Sequence, residues 1–490
     1  MADITARLKD YSMMQVFCER GIAAELSEYF SFFVPGYKFM PAYKNRVWDG
    51  KIRMYNALAG ELNAGLFVYL IEFCKSSGYT IDVEESEYGF PVTPSKIDRD
   101  DLLEFYKHLK LPFDVRDYQH DAIATALERR RGVFVSPTGS GKSLIIYSLT
   151  RHVLGTDKGK ILIVVPTTSL VEQLHKDFVD YGWDGEKVHK IYSGKDKTTN
   201  KRVIISTWQS IYKFPKAWFE QFVGVIGDEC HGFKSKSLSS IMNKATEAKY
   251  RFGTTGTLDG TQTHKLVLEG LFGPVYQVTH TKKLQDDGTL APLEISVLNL
   301  VYGETTRENF GSQTYQDEIS FIIKHEKRNK FIRNLALSQT GNTLVLFHRV
   351  EKHGEVLRDL IQAKAAEGRK VFFVSGKVDT DDREAIRRIV ETQTDAIIVA
   401  SMGTFSTGIN IRNLHNIIFA SPSKSQIKVL QSIGRGLRKS DDGSTTKLFD
   451  ISDDLHWSTR KNFTLLHCFE RVKIYQKEQF NYTVTQVNIE

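Results

Sequence analysis

The sequence predicts an α/β protein built on two tandem parallel sheets, with a small α+β domain in front and a short extension behind. Three observations predict it. From about residue 102 onward, short β-branched runs alternate with amphipathic helical stretches. The runs are almost continuously apolar, which marks strands covered by helices on both faces. They fall into two groups, about 102–280 and 290–455, and a chain of 490 residues calls for roughly three domains of about 150 residues each.

Residues 1–100 form the expected N-terminal accessory domain. Within it, Asp49-Gly50 is a two-residue hairpin signal. That turn places Trp48 opposite Lys51, Val47 opposite Ile52 and Arg46 opposite Arg53. Alternation then points Val47, Ile52 and Met54 toward a core and gathers Arg46, Trp48, Lys51 and Arg53 on the other face. Facing arginines destabilise a hairpin unless an anion lies over them. This face is therefore expected to meet a phosphate backbone, with Trp48 stacking on an unpaired base or an arginine plane. Glu84-Glu85-Ser86-Glu87, Pro91 and Pro94 mark the boundary near residue 100.

The first sheet, over 101–281, takes Val133-Phe134-Val135, Ile161-Leu162-Ile163-Val164-Val165, Val203-Ile204-Ile205 and Val223-Gly224-Val225-Ile226. A turn-rich seam follows at Gln285-Asp286-Asp287-Gly288. The second sheet, over 282–455, takes Thr343-Leu344-Val345-Leu346-Phe347, Val371-Phe372-Phe373-Val374, Ala396-Ile397-Ile398-Val399-Ala400 and Ile417-Ile418-Phe419-Ala420. The extension, 456–490, reads first as helix and then as strand through Tyr482-Thr483-Val484-Thr485.

Composition narrows the function classes. Hydrophobic residues at 41% and charged residues at 26% exclude a disordered or collagen-like chain. No apolar run approaches the roughly 18 residues of a membrane span. The start, Met1-Ala2-Asp3-Ile4, lacks a basic segment followed by an apolar one, so a cytoplasmic protein is expected. Cys18, Cys74, Cys230 and Cys468 form no close pair, which argues against zinc and disulfides and for a reducing compartment. A formal charge of +7 leans toward polyanionic partners.

The sharpest motif is Ser136-Pro137-Thr138-Gly139-Ser140-Gly141-Lys142-Ser143, between a strand and a helical stretch. That is the setting of a P-loop. Its glycines let backbone N–H groups curl around phosphates at a helix N-terminus. Lys142 would reach the β- and γ-phosphates and the Ser143 hydroxyl would ligate Mg²⁺. A second strand, Val223–Ile226, leads into Asp228-Glu229-Cys230-His231. Asp228 can hold the metal and Glu229 can activate water, a role that exists only if the triphosphate is hydrolysed. Cys230 has no base assigned and reads as a packed residue. Cations on the departing phosphate come from Gln431-Ser432-Ile433-Gly434-Arg435-Gly436-Leu437-Arg438. Arg435 and Arg438 lie in the second group, so the site they complete would close only when the two lobes meet. The expected cofactors are ATP and Mg²⁺.

With these parts in this order, residues 115–440 resemble a superfamily 2 helicase, whose motor is two tandem RecA-like domains. Arg116-Asp117-Tyr118-Gln119 resembles its adenine-reading motif, with Gln119 as the implied base contact. Pro166, Thr167 and Gln173 match one backbone-contact motif and Thr207 the next. His348 sits where a further motif would be, and Thr407 lies in Ser406-Thr407-Gly408-Ile409-Asn410, whose Gly408 and Asn410 would lie near the ribose. Thr255 and Thr257 resemble the motif that couples hydrolysis to strand contacts, and His231 would link to it. Gln431 opens the arginine motif, with Arg438 as the implied finger. Over its whole length the chain looks like the fork-remodelling DNA helicases of T4-type bacteriophages. That resemblance implies DNA as partner, branch migration, fork regression, D-loop and R-loop unwinding, 3′–5′ polarity, action as a monomer and residence in the host cytoplasm. An RNA or RNA–DNA duplex remodeller and an ATP-gated motor subunit without unwinding stay open as alternatives.

Overall fold

In this computed structural model the described residues are 2–91, 96–193, 196–258, 260–311, 313–376, 380–408, 413–421, 425–437 and 445–489. Positions 234, 262, 263, 380–384, 387, 406–408, 426–428, 435 and 436 are described by backbone alone. The chain divides into two compact units: 1–136 with 141–278, and 137–140 with 279–490.

The N-terminal domain is a five-stranded mixed sheet. It comprises β1 (Ile4–Leu8), β2 (Met13–Cys18), β5 (Tyr55–Asn56), β6 (Glu61–Asn63) and β7 (Ile81–Val83), in the order β5-β6-β2-β1-β7. Side chains of β1 and β2 are buried alternately, the period of a half-covered sheet. Ile4, Ala6, Met14 and Val16 pack with Leu26 of helix Arg20–Tyr29 and Leu70 and Phe73 of helix Phe67–Ser77.

The predicted hairpin at Asp49-Gly50 is not present. A two-stranded ribbon pairs β3 (Ser31–Phe33) with β4 (Lys51–Arg53), so Arg53 faces Ser31, Ile52 faces Phe32 and Lys51 faces Phe33. Residues before the turn are helical at Pro41–Lys44, and Arg46 takes a left-handed φ of 55°. Two local contacts explain the difference. The Asp49 carboxylate accepts from the Lys51 backbone N–H and pairs with Arg53, and the Trp48 indole N–H donates to the Lys51 carbonyl at 2.8 Å. An aromatic strand twenty residues earlier then supplies a better partner for Ile52 than Val47 does. Val47, expected in the core, is 81% exposed, and Arg46 and Arg53 do not face each other.

This domain is docked firmly on the first motor domain, within one unit. Leu266 of helix Gln262–Phe272 joins the N-terminal core. The Tyr69 hydroxyl donates to Glu269 at 2.6 Å, Ser12 donates to the Met242 carbonyl at 2.9 Å and Arg131 donates to the Tyr11 carbonyl at 2.6 Å. At Gly65 the backbones approach so closely that a Cβ would stand 1.9 Å from the Glu269 carbonyl oxygen. Gly65→Ala should therefore destabilise this unit by about 1–3 kcal/mol, the usual range for overpacking. Gly21→Ala, where a Cβ meets nothing within 4 Å, is the control. Thermal unfolding followed by circular dichroism checks both, and equal melting of the two variants would refute the close contact.

The first motor sheet has seven parallel strands: β8 (Arg131–Val135), β9 (Lys160–Val165), β10 (Val188–Ile191), β11 (Val203–Thr207), β12 (Phe222–Asp228), β13 (Tyr250–Thr255) and β14 (Val275–Gln277). Their order is β10-β11-β9-β12-β13-β8-β14. Alternate residues serve two helix layers. Phe134, Ile161, Ile163, Ile205 and Phe252 pack on one side, and Val133, Val135, Leu162, Val164 and Val225 on the other. The second unit repeats the plan with β15 (Leu293–Val301), β16 (Thr343–Phe347), β17 (Val371–Val374), β18 (Ile397–Ser401), β19 (Asn416–Phe419), β20 (Thr446–Asp454) and β21 (Asn481–Asn488). Its order is β17-β18-β16-β19-β20-β15-β21, again all parallel. The architecture is thus the predicted pair of RecA-like domains with an α+β domain in front. The C-terminal segment adds its strand to the edge of the second sheet. Helix Phe463–Lys477 is held there by Arg471, buried against Asp450 at 2.8 Å, with the Tyr475 hydroxyl on the same carboxylate. No helix among the described residues is long and apolar enough to cross a membrane.

Candidate nucleotide and nucleic-acid site

The candidate residues of the first motor domain collect at the carboxyl ends of its parallel strands, where open α/β sheets bind ligands. β13 lies between β12 and β8, with Thr254 in register beside Asp228 and Thr255 beside Val135. This single strand order brings the acidic box, the Thr255–Thr257 motif and the P-loop to one edge.

The P-loop leaves β8 and enters helix Lys142–Thr156, with Gly141 at the helix N-cap. Gly139 and Gly141 have φ of 84° and 82°, a conformation L side chains rarely adopt and one that turns backbone N–H groups inward. The Ser140 hydroxyl donates to the Pro137 carbonyl at 2.6 Å and tightens the turn. Thr138 lies in the same turn. The Lys142 ammonium donates to the Ser136 carbonyl at 3.1 Å, which holds it over the loop. The Ser143 hydroxyl, the expected metal ligand, lies 2.7 Å from the Tyr181 hydroxyl. Tyr181 follows helix Thr168–Asp180, and no motif in the sequence pointed to it.

Asp228 ends β12. Its carboxylate accepts from Thr254 at 2.8 Å and from the Glu229 backbone N–H at 3.0 Å. Burial, then the Glu229 charge, pushes the Asp228 carboxyl up to about 6, while Lys142 pulls it down. Glu229 has a left-handed backbone with φ of 50°, a strained geometry for a non-glycine residue that turns the chain sharply after the strand. Its carboxylate sits 3.4 Å from the His231 ring and 3.5 Å from the Thr255 hydroxyl. His231 and Thr255 are themselves 2.9 Å apart, and Thr255 donates to the Thr257 carbonyl at 3.1 Å. The coupling residues named from sequence are thus one hydrogen-bonded group around Glu229. Cys230 is buried against Gly253 as a packing residue, and burial holds its thiol far above the usual range.

A magnesium nucleotide fits this donor set. A glycine-rich loop at a helix N-terminus and Lys142 suit phosphates, and a carboxylate and a hydroxyl are the oxygen donors a hard cation takes. Bound there, Mg²⁺ would neutralise charge building between the last two phosphates.

Gln119, the implied adenine contact, lies at the start of helix Asp117–Arg129. Its side-chain oxygen accepts from the Arg116 backbone N–H at 2.9 Å, closing a cap on helix Asp117–Arg129, and its amide nitrogen lies against Gly141. Only 3% of Gln119 is exposed. Arg116 donates to the Tyr118 hydroxyl at 2.8 Å.

The candidate backbone contacts of the first domain line the same edge beyond β12. Pro166 and Thr167 follow β9, and Thr167 caps the next helix by accepting from Leu170. Thr207 ends β11 in register with Val165 and shares a hydroxyl contact of 2.9 Å with Ser210. Gln209 donates to the Pro166 carbonyl and ties the two motifs together. Gln173 is exposed on helix Thr168–Asp180.

In the second unit, His348 is exposed just beyond β16, and its backbone N–H donates to Ser421 at 3.2 Å. The same serine hydroxyl meets the buried His353, one turn on in a π-helical segment, Val350–Gly354. Burial first, then the Arg328 and His348 charges, pushes His353 down to about 3, so it stays neutral. Gln431 lies half-buried on helix Gln426–Gly436. Asn410 and Arg438 lie outside the described residues, as do the side-chain positions of Thr407, Gly408 and Arg435. In the N-terminal domain, Lys51 pairs with Glu28 at 2.7 Å and Arg53 with Asp49, so both carry acidic partners.

Comparison with known proteins gives a consistent answer. Residues 3–84 match the N-terminal domain of the DNA helicase UvsW, 112–260 the res subunit of type III restriction enzymes and 326–440 the helicase conserved C-terminal domain. The chain is 36% identical over 514 aligned residues to the ATP-dependent DNA helicase UvsW of enterobacteria phage T4, covering 99% of this chain and 100% of that protein. It is 25% identical over 434 residues to the DNA 3′–5′ translocase XPB2 of Sulfurisphaera tokodaii, covering 80% and 90% of the two chains. The crystal structure of T4 UvsW matches at 33% identity with a TM-score of 0.51, each chain covered completely. By full-length similarity, domain order and fold, this chain belongs to the UvsW family of superfamily 2 ATP-dependent helicases.

Proposed function

We propose that this protein is an ATP-driven DNA motor that remodels branched DNA by fork regression, branch migration and unwinding of D-loops and R-loops. It moves 3′ to 5′ and works as a monomer. The observation that carries this reading is the bonded group Glu229–His231–Thr255–Thr257 beside the P-loop. It links the residue that would activate water to the end of β13 and to Thr257 just beyond it. A protein that merely bound ATP would have no use for that link. Similarity to a DNA helicase along the whole chain supports DNA as partner, and a relative named as a 3′–5′ translocase supports the polarity.

The roles follow from the chemistry. Lys142 and the N–H groups of Thr138, Gly139, Ser140 and Gly141 hold phosphates, and Ser143 and Asp228 hold Mg²⁺. Glu229 takes the proton of the attacking water. Arg435 and Arg438, with Gln431, meet the charge that develops on the departing phosphoryl group. Gly408 and Asn410 border the ribose. Gln173, Thr407 and His348 join Pro166, Thr167 and Thr207 on the DNA backbone. Turnover measured across single-stranded, duplex, forked, four-way and RNA–DNA substrates tests the proposal. Stimulation by RNA alone would replace it with an RNA remodeller.

A further inference from the structure

The loop joining β3 to β4, residues 34–50, leaves large apolar side chains uncovered. Phe39 is 80% exposed and Val47 81% exposed, with Met40 beside them also exposed. Leaving such side chains in water forgoes stabilisation that a core would supply. Yet the loop is well built. Tyr37 stacks on Phe33 with centroids 4.6 Å apart and meets Tyr43 edge-on at 4.7 Å. Its ring also lies over the buried Gly50, where a Cβ would be 2.3 Å from a ring carbon. Backbone bonds from Val34 to Gly50 and from Val47 to Ala42 close the two ends. A rigid base therefore presents an apolar tip.

The tip is flanked by one sign of charge. Lys38, Lys44 and Arg46 are exposed and make no ion pair among the described residues, while Asp49, the loop's single acid, is engaged by Arg53. A lipid surface would want a longer amphipathic helix than the four residues Pro41–Lys44. An apolar tip between cations matches nucleic acid at a junction. There a base face is open to stacking, and the flanking phosphates need cations.

We propose that this loop is a wedge that enters DNA at the branch point. Phe39 stacks on the base exposed there, Met40 and Val47 cover its neighbour, and Lys38, Lys44 and Arg46 hold the flanking phosphates. The proposal rests on the DNA-remodelling reading above and names the element that senses the branch. It also differs from the hairpin face expected from sequence, since Lys51 and Arg53 are spent on Glu28 and Asp49.

The test uses the full chain and a fork carrying 2-aminopurine at the branch. Phe39 is exposed, so Phe39→Ala should fold as the wild type does. Its fork affinity should fall about 5–150-fold, the equivalent of losing one stacked base. The branch-point fluorescence change should vanish, while affinity for unbranched duplex holds within about twofold, since no base face is open there to stack. Lys44→Ala/Arg46→Ala should reduce the salt slope of fork binding by about 2, one for each lost phosphate contact. Unchanged fork affinity and fluorescence in Phe39→Ala would overturn the wedge, and so would equal losses on fork and duplex. Phe39→Ala that binds forks normally but loses a protein partner would make the loop a protein-docking surface and overturn it too. If the wild-type chain binds no DNA, the functional reading itself falls, and the wedge with it.

Discussion

Glu229→Gln should bind ATP as the wild type does and hydrolyse it about 10²–10⁴-fold more slowly, the range for losing a general base. The substitution keeps size and shape. It also keeps an oxygen and adds a donor toward His231 and Thr255, so the bonded group around it can persist. What it removes is the capacity to take a proton. Asp228, which accepts hydrogen bonds from the Thr254 hydroxyl and the Glu229 backbone N–H, stays in place for the metal. Nucleotide affinity by fluorescence titration and turnover by phosphate release separate the two effects. Near wild-type turnover would take Glu229 out of the chemistry and leave it a structural turn residue.

Arg438→Ala should slow hydrolysis by about 10³–10⁵-fold, the contribution of an arginine finger to phosphoryl transfer. DNA binding without nucleotide should be largely retained. The expectation rests on the spacing of Arg435 and Arg438 in the motif that follows Gln431. Guanidinium charge matters most where phosphate charge develops, and alanine leaves nothing to meet it. Single-turnover hydrolysis and DNA affinity, measured side by side, decide the matter. Loss of DNA affinity with normal hydrolysis would make this motif a binding patch.

The parallel sheets were legible because strands buried on both faces read as unbroken apolar runs. All eight runs named from sequence are strands. Two of the strands that escaped, β13 and β20, carry buried charged groups that hide them. β13 contains Arg251, whose guanidinium is 1% exposed and donates to the carbonyls of Leu271, Ala245 and Met242. β20 contains Asp450 and Asp453, whose charges are met by Arg471 of the following helix and by Arg328 of helix Glu326–Ser338. Such pairing is invisible locally, since the partners of Asp453 and Arg328 lie 125 positions apart.

The candidate site was legible for a different reason. Phosphate binding requires a fixed backbone shape, so the P-loop and the Asp228-Glu229 box are short, rigid patterns. The side-chain links between them are not. Tyr181 on Ser143 and Thr254 on Asp228 come from strand order, which no local pattern encodes. Gln119 was legible as a motif member, while its cap on Arg116 emerges only in three dimensions. The N-terminal hairpin failed because a two-residue turn signal fixes only its own corner. The choice of strand partner belongs to whichever segment packs better, and Phe32 beside Ile52 outcompetes Val47.

The central claim is that ATP hydrolysis by this chain is coupled to branched DNA. The most direct measurement is the ATPase rate of the full chain at saturating ATP, titrated with single strand, duplex, three-way fork, four-way junction, RNA–DNA hybrid and RNA. Strand products are followed in the same samples. The account predicts low turnover alone, the greatest stimulation and product formation on the fork and four-way junction, and neither in Glu229→Gln. Equal turnover on every substrate, or stimulation confined to RNA, would contradict it.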